Sequence, residues 1–178
     1  MKVIKAKTAG FCFGVKRAVD TVYKQVDTKC GQIYTYGPII HNEEVIKDMR
    51  DKGVIVLRSE EDLDMISQGT VIIRSHGVEK RIYEKIEQKG LRIVDATCPF
   101  VKKIHNIVSE KSGEGFHIII IGNPEHPEVV GIKGWAKDNV TVIQSAEDAE
   151  CFTADRKEKI CIVSQTTFNY NKFKDLVE

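Results

Sequence analysis

Two cysteines, three histidines and a glutamate of this 178-residue chain stand in turn-forming segments rather than in periodic ones. The segments are Gly10-Phe11-Cys12-Phe13-Gly14, His41-Asn42, Ser75-His76-Gly77, Asp95-Ala96-Thr97-Cys98-Pro99, Asn123-Pro124-Glu125-His126-Pro127-Glu128 and Ser164-Gln165-Thr166-Thr167. Cys12 and Cys98 each sit where a helix should open, and the partial positive charge there favours thiolate over thiol. Thiolate is the form that soft metals and iron-sulfur clusters bind. Spacing alone favours the blander reading, a small buried residue filling a tight turn. The glycines flanking Cys12 tilt it back, because they let the backbone approach a bulky inorganic group.

His41, His76 and His126 each stand beside an expected helix start, where backbone N–H groups already favour an anion. Imidazoles added there would donate hydrogen bonds to phosphate and could take up charge when a dianion binds. For any one of them a solvated loop histidine is the simpler account; three at matching places point to an anion site. A zinc site from the same three stays open, although none shows the short HxxxH spacing of a single-helix site. Glu128, behind the rigid Pro127, is a candidate proton relay, with a helix-stabilising first-turn glutamate as the simpler alternative. Thr166 and Thr167 could hydrogen-bond a substrate hydroxyl or cap the last helix.

The elements that must position these residues alternate. Short β-branched runs at Val3-Ile4, Ile33-Tyr34, Val54 to Leu57, Thr70 to Ile73, Leu91 to Val94, His117 to Ile121, Val140 to Ile143 and Ile160 to Val163 interleave with stretches of helical period. That order predicts an α/β fold with mainly parallel sheets. Val15, Ala18, Val19, Val22, Tyr23 and Val26 mark a first helix stopped at Cys30-Gly31. Asn42 caps a second, which ends at Gly53; a third runs from Val78 to Lys89, and a fourth starts at Pro99. Each chemistry-bearing segment then follows the C-terminal end of an expected strand, the face on which parallel α/β sheets bind ligands. The strand-helix order restarts near residue 97, which predicts two αβα units, 1–97 and 98–178. Asn169 to Glu178 reads as an amphipathic helix that meets no stop signal, so the chain is expected to continue.

Composition narrows the class. Twenty-seven Lys and Arg against 26 Asp and Glu give a net charge of +1, without the broad basic footprint of a nucleic-acid binder. No apolar run approaches the roughly 20 residues of a membrane span, and Lys2, Lys5 and Lys7 interrupt any signal-peptide core, so a cytoplasmic location is expected. The five cysteines, Cys12, Cys30, Cys98, Cys151 and Cys161, are odd in number and form no CxxC, which argues against a disulfide framework. Cys30, Cys151 and Cys161 read as structural, and Trp135 as core or edge packing. His105 and His117 fall inside a helix and a strand and are left out of the site.

Taken in order, GFCFGV, PIIHN, SHGV, VDATCPFV, GNPEHPEV and SQTT resemble the hydroxymethylbutenyl diphosphate reductases, the LytB/IspH family, across essentially the whole chain. The resemblance implies three α/β domains in a trefoil-like arrangement around a 4Fe-4S cluster, with Cys12 and Cys98 as two of its ligands. It implies that His41, His76 and His126 hold the substrate diphosphate, that Glu128 relays a proton and that Thr166 contacts substrate. The implied reaction is reductive dehydroxylation of 4-hydroxy-3-methylbut-2-enyl diphosphate to isopentenyl and dimethylallyl diphosphate, in the non-mevalonate pathway. Ferredoxin or flavodoxin is the implied electron donor. The third domain and its cysteine do not match any segment here. The 178 residues alone are therefore expected to be inactive, to hold a cluster weakly and to expose an apolar face. Two further readings stay open: a metal-independent diphosphate-binding module, and a zinc hydrolase using His41, His76 and His126 with Glu128 as base.

Overall fold

The β-branched runs and amphipathic stretches resolve into alternating strands and helices in the computed structural model, which describes residues 2–7, 9–28, 31–155 and 157–177. Helix α1 (Phe13–Asp27) leads into β1 (Ile33–Tyr36), α2 (Glu43–Asp51), β2 (Ile55–Leu57), α3 (Glu60–Asp64), β3 (Thr70–Ile73), α4 (Lys80–Gln88) and β4 (Arg92–Asp95). The order restarts with α5 (Pro99–Gly113), β5 (His117–Ile121), α6 (Pro127–Lys133), β6 (Val140–Ile143), α7 (Ala146–Cys151), β7 (Ile160–Ser164) and α8 (Tyr170–Val177). One sheet has the order β2-β1-β3-β4 and the other β6-β5-β7, and every pairing is parallel.

Parallel strands need cover on both faces, so the central strands β3 and β5 are apolar beyond their first residues, Thr70 and His117. All four residues of β3 are buried. Ile72 packs with Ala18, Val19 and Val22 of α1 and with Met49 of α2, while Val71 and Ile73 meet Leu63, Ile82 and Ile86 on the opposite face. Strand β5 repeats the arrangement: Ile118 and Ile120 face Val108, Val129 and Ile132, and Ile119 and Ile121 face Phe152, Phe168 and Phe173. A period of two sorts each strand between two helix layers.

The expected caps hold where they position the site. The Asn42 side chain accepts from Val45 N–H at 3.0 Å, with Glu43 and Glu44 in the first turn of α2. Pro99 and Pro127 open α5 and α6. Helices α3 and α7, capped by Ser59 and Ser145, have five and six residues, too few for an apolar period to register in the sequence. The expected strand at Val3-Ile4 does not form. Both residues are exposed, at 80% and 77%, and pair with no strand. A two-residue β-branched run between lysines has too little apolar face to add a row to either sheet. The Gly10 to Gly14 segment therefore opens α1 without following a strand. Cys30 lies outside the described residues.

A narrow seam joins the two sheet systems. Trp135 Nε1 donates to the Val78 carbonyl at 2.9 Å, and the Lys80 N–H donates to the Gly134 carbonyl at 3.4 Å. The His105 ring stacks on Trp135 at 5.1 Å between centroids. Glycine is needed here: a Cβ on Gly77, whose φ is +73°, would come within 2.5 Å of His105 Cε1, and one on Gly134 within 2.4 Å of Glu79 Cβ. Helix α6 thereby backs onto the loop between β3 and α4.

Candidate functional site

In the order β2-β1-β3-β4 the chain leaves β1 toward one side and returns on the other, so a crevice opens beyond the C-terminal ends of β1 and β3. The same reversal in β6-β5-β7 opens one beyond β5 and β7. His41 follows β1, His76 follows β3, His126 and Glu128 follow β5, and Thr166 follows β7. Because the seam sets α6 against the Gly77 loop, the two crevices meet. The rings of His41 and His76 lie 4.7 Å apart, His76 and His126 5.6 Å, and His41 and His126 6.3 Å. One nitrogen from each falls within 4.8 Å of the others.

Hydrogen bonds fix the loops that carry them. The N–H and hydroxyl of buried Ser75 both donate to the Ile39 carbonyl, at 3.2 and 3.0 Å, which ties the His41 loop to the His76 loop. The Cys98 N–H donates to the Ser75 carbonyl at 2.9 Å, which brings the loop after β4 alongside. Arg17 of α1 donates to the Thr97 carbonyl at 2.7 Å and to that of Asp95 at 3.3 Å. Those bonds seat the first turn of α1 so close that a Cβ on Gly14 would lie 2.6 Å from Cys98 Sγ.

Cys12 and Cys98 are the N-cap residues of α1 and α5, and neither side chain caps its own helix. Cys12 is exposed and Cys98 half-buried, so both thiols are free to ligate. Exposed Phe11, Phe13 and Phe100 flank them in sequence. Cys151 ends α7, and Cys161 packs within the core of the second sheet, level with Ile118 and away from the strand ends that carry the site.

Burial, reinforced by the positive charge of His41, Arg74 and His126, pulls the pKa of His76 down to about 4. Burial first, then His41 and Arg74, also lowers that of His126. Both rings are thus neutral at pH 7. His126 Nδ1 accepts from the Glu128 N–H at 3.1 Å, so its proton resides on Nε2, which leaves a donor for a ligand.

Glu128 is 2% exposed, and burial raises its pKa against two bonds from Thr166 that lower it. The Thr166 N–H donates to Oε1 at 2.6 Å and its hydroxyl to Oε2 at 2.8 Å. Thr167 instead accepts from Gln165 Nε2 at 2.7 Å, and Gln165 Oε1 accepts from the Asn123 N–H at 3.2 Å. Neither threonine caps α8, where Asn169 Oδ1 accepts from the N–H groups of Asn171 and Lys172. Arg74 and Gln165 belong to this neighbourhood and were not singled out by the sequence. Their signal was position alone: one directly precedes Ser75-His76 and the other lies in the loop after β7.

The protein-family model described as "LytB protein" matches residues 3–178. Among curated relatives, the 4-hydroxy-3-methylbut-2-enyl diphosphate reductase of Caldanaerobacter subterraneus is 46% identical over 179 residues, covering 100% of this chain and 62% of the relative. That of Thermoanaerobacter sp. is 48% identical over 180 residues with the same coverage. The structure of the E-1-hydroxy-2-methyl-but-2-enyl-4-diphosphate reductase from Plasmodium falciparum superimposes with a TM-score of 0.90 at 31% identity, over 96% of this chain and 53% of that one. A solved (E)-4-hydroxy-3-methyl-but-2-enyl diphosphate reductase superimposes at 0.82 with 39% identity, over 98% of this chain and 62% of that one. The chain thus spans about 62% of the length of the curated relatives it matches. The family model covers nearly the whole chain, and the fold agrees with the solved reductases, so the chain belongs to the LytB family.

Proposed function

We propose that these residues form the diphosphate-binding and proton-handling part of an iron-sulfur reductase acting on 4-hydroxy-3-methylbut-2-enyl diphosphate, the substrate named for the relatives. The observation that carries the reading is the convergence of three imidazoles beside a buried carboxyl, supplied jointly by the ends of two parallel sheets. His41, His76 and His126 bind the diphosphate oxygens. Burial holds His76 and His126 neutral in the free site, and they can gain protons as the anion arrives, so that binding itself builds the positive charge that retains it.

Glu128 holds a proton more readily than an exposed carboxyl because burial disfavours its charge. Once it carries that proton, Thr166 Oγ1 no longer needs to donate to it. The hydroxyl turns to accept from Glu128 and donates onward to the substrate hydroxyl. Removal of the hydroxyl consumes two electrons and two protons: one proton leaves in water with the oxygen, and the other ends on the allylic carbon skeleton.

Cys12 and Cys98 would hold a 4Fe-4S cluster, and their uncommitted thiols at adjoining helix N-caps fit it. When bound, such a cluster supplies single electrons and a Lewis-acidic iron. Ferredoxin or flavodoxin would provide the electrons, in the cytoplasm. Residues 1–97 and 98–178 act as two α/β units with the site between them. No cysteine here matches the family's third ligand, so the 178 residues alone bind a cluster weakly and turn over no substrate.

Anaerobic reconstitution with iron and sulfide tests this, read as iron and acid-labile sulfide in the wild type beside a Cys12→Ser, Cys98→Ser double variant. Sub-stoichiometric cluster that disappears in the variant is expected. Equal content in both contradicts the shared cysteine site, and turnover by the isolated chain with reduced viologen contradicts its inactivity. The nitrogen spacing of the histidines also suits a metal ion held by all three. Stoichiometric zinc without sulfide would favour that reading, with Glu128 as base.

A further inference from the structure

Arg74 stands directly after β3, two residues before His76. Burial pulls the pKa of its guanidinium down. Nε donates to the Gly77 carbonyl at 3.3 Å, and the side chain lies against Gly37, where a Cβ would come within 2.6 Å of Nη1. Gly37 follows β1 and Gly77 follows β3, so this cation bridges the two loops that frame the first crevice. Its field reaches both His76 and His126.

Among the described residues, Arg74 forms no salt bridge with a carboxylate; Glu60 and Glu79, on the same side of the sheet, are bonded to Arg81. A guanidinium taken partly out of water without a partner charge is unfavourable, and a bound anion relieves that cost. The outer face of Arg74 lines an open groove of about 550 Å³ with Lys47, Arg50 and Arg58, along with Glu43 and Glu44.

We infer that Arg74 determines the specificity of the anion site: it is a fixed cation between the loops that carry His41 and His76, and its counter-ion is the bound diphosphate, which makes the site prefer diphosphate to monophosphate. The inference rests on the diphosphate reading above. The charge that His76 and His126 take up has to be gained as the anion binds, against the burial that lowers their pKa values. A permanent cation in a partly desolvated crevice adds an attraction that grows with each charge on the ligand.

Titration calorimetry with inorganic pyrophosphate and with orthophosphate tests it on the wild type, Arg74→Gln and Arg74→Lys. Arg92→Gln, at the far end of the first sheet, serves as control. The expected result is a loss of about tenfold in pyrophosphate affinity for Arg74→Gln, a loss nearer threefold for orthophosphate, partial recovery in Arg74→Lys and no change in the control. Pyrophosphate affinity in a folded Arg74→Gln within twofold of the wild type overturns the inference and leaves the diphosphate reading standing. A wild type that binds neither anion overturns that reading and the inference with it. Should Arg74→Gln fail to fold, phenylglyoxal labelling of Arg74 in the wild type decides. Saturating pyrophosphate should suppress it severalfold, and unchanged labelling overturns the inference.

Discussion

The ends of β1 and β3 and the ends of β5 and β7 occupy the same place in their sheets and both carry imidazoles, yet the second adds a buried acid. The first pair presents His41, His76 and Arg74, bases and a cation, with the His76 imidazole held neutral by burial and like charge. The second presents His126 together with Glu128 and Thr166, an acid held toward its neutral form by burial. Strand order builds the crevice in both cases; desolvation then pushes His76 and Glu128 toward their uncharged states. A base that can gain a proton therefore faces an acid that can give one.

Breaking the seam should erase the comparison altogether. Gly77→Ala combines an unfavourable positive φ with a Cβ driven onto His105. It should destabilise the fold by about 3 kcal/mol, seen as a lower urea midpoint; an unchanged midpoint would mean that the contact between the two systems is loose.

The buried histidines and Glu128 should also respond to acid with opposite sign. His76 and His105, whose pKa values burial lowers from 6.5 to about 4, bind protons in the unfolded chain before the folded one. Their contribution is complete above pH 6.5 and is lost as pH falls toward 4, about 2 kcal/mol for each between pH 7 and 5. Glu128 works the other way: its raised pKa makes the folded state the better proton acceptor, so the stability it contributes grows as pH falls through its shifted value. His76→Gln should flatten the acid limb of a stability-pH curve and Glu128→Gln should steepen it. Parallel curves for both variants would remove the contrast.

At pH 7 the Glu128→Gln exchange should change stability by about 1 kcal/mol or less, because an isosteric amide loses one Thr166 bond but relieves a buried charge. In the enzyme at the length of its relatives it should spare cluster content and depress turnover; unchanged turnover would take Glu128 out of the reaction. The smallest effect belongs to Lys16→Ala, which breaks an exposed pair with Asp20 on α1, remote from the imidazole cluster. It should shift stability by about 0.5 kcal/mol at most, which sets the floor for reading the others.

Most of the positioning was legible in the sequence because it depends on local rules. Runs such as Thr70 to Ile73 and His117 to Ile121 became central strands, and Asn42, Pro99 and Pro127 opened helices as their backbone preferences require. Val3-Ile4 failed because strand propensity needs a neighbouring row, which only the tertiary structure decides. Short α3 and α7 left no period to see. The histidines and Glu128 were legible as residues just past strand ends, but their meeting was not: it depends on Gly77 and Gly134 admitting α6 against the β3 loop. Arg74 escaped for the same reason, since an arginine beside a strand is ordinary until its neighbours are known. His105, set outside the site by its helix position, turns out to wall the Gly77 loop from behind.

The central claim is that both sheets contribute to one diphosphate pocket. A double-mutant cycle in pyrophosphate affinity, with His76→Gln from the first sheet and His126→Gln from the second, tests it most directly. If both imidazoles hold the same anion, each single variant should lose roughly tenfold, and the double variant should depart from their product by a coupling of about 1 kcal/mol. Independent, multiplicative losses, or no loss in one of the two, would contradict the shared pocket.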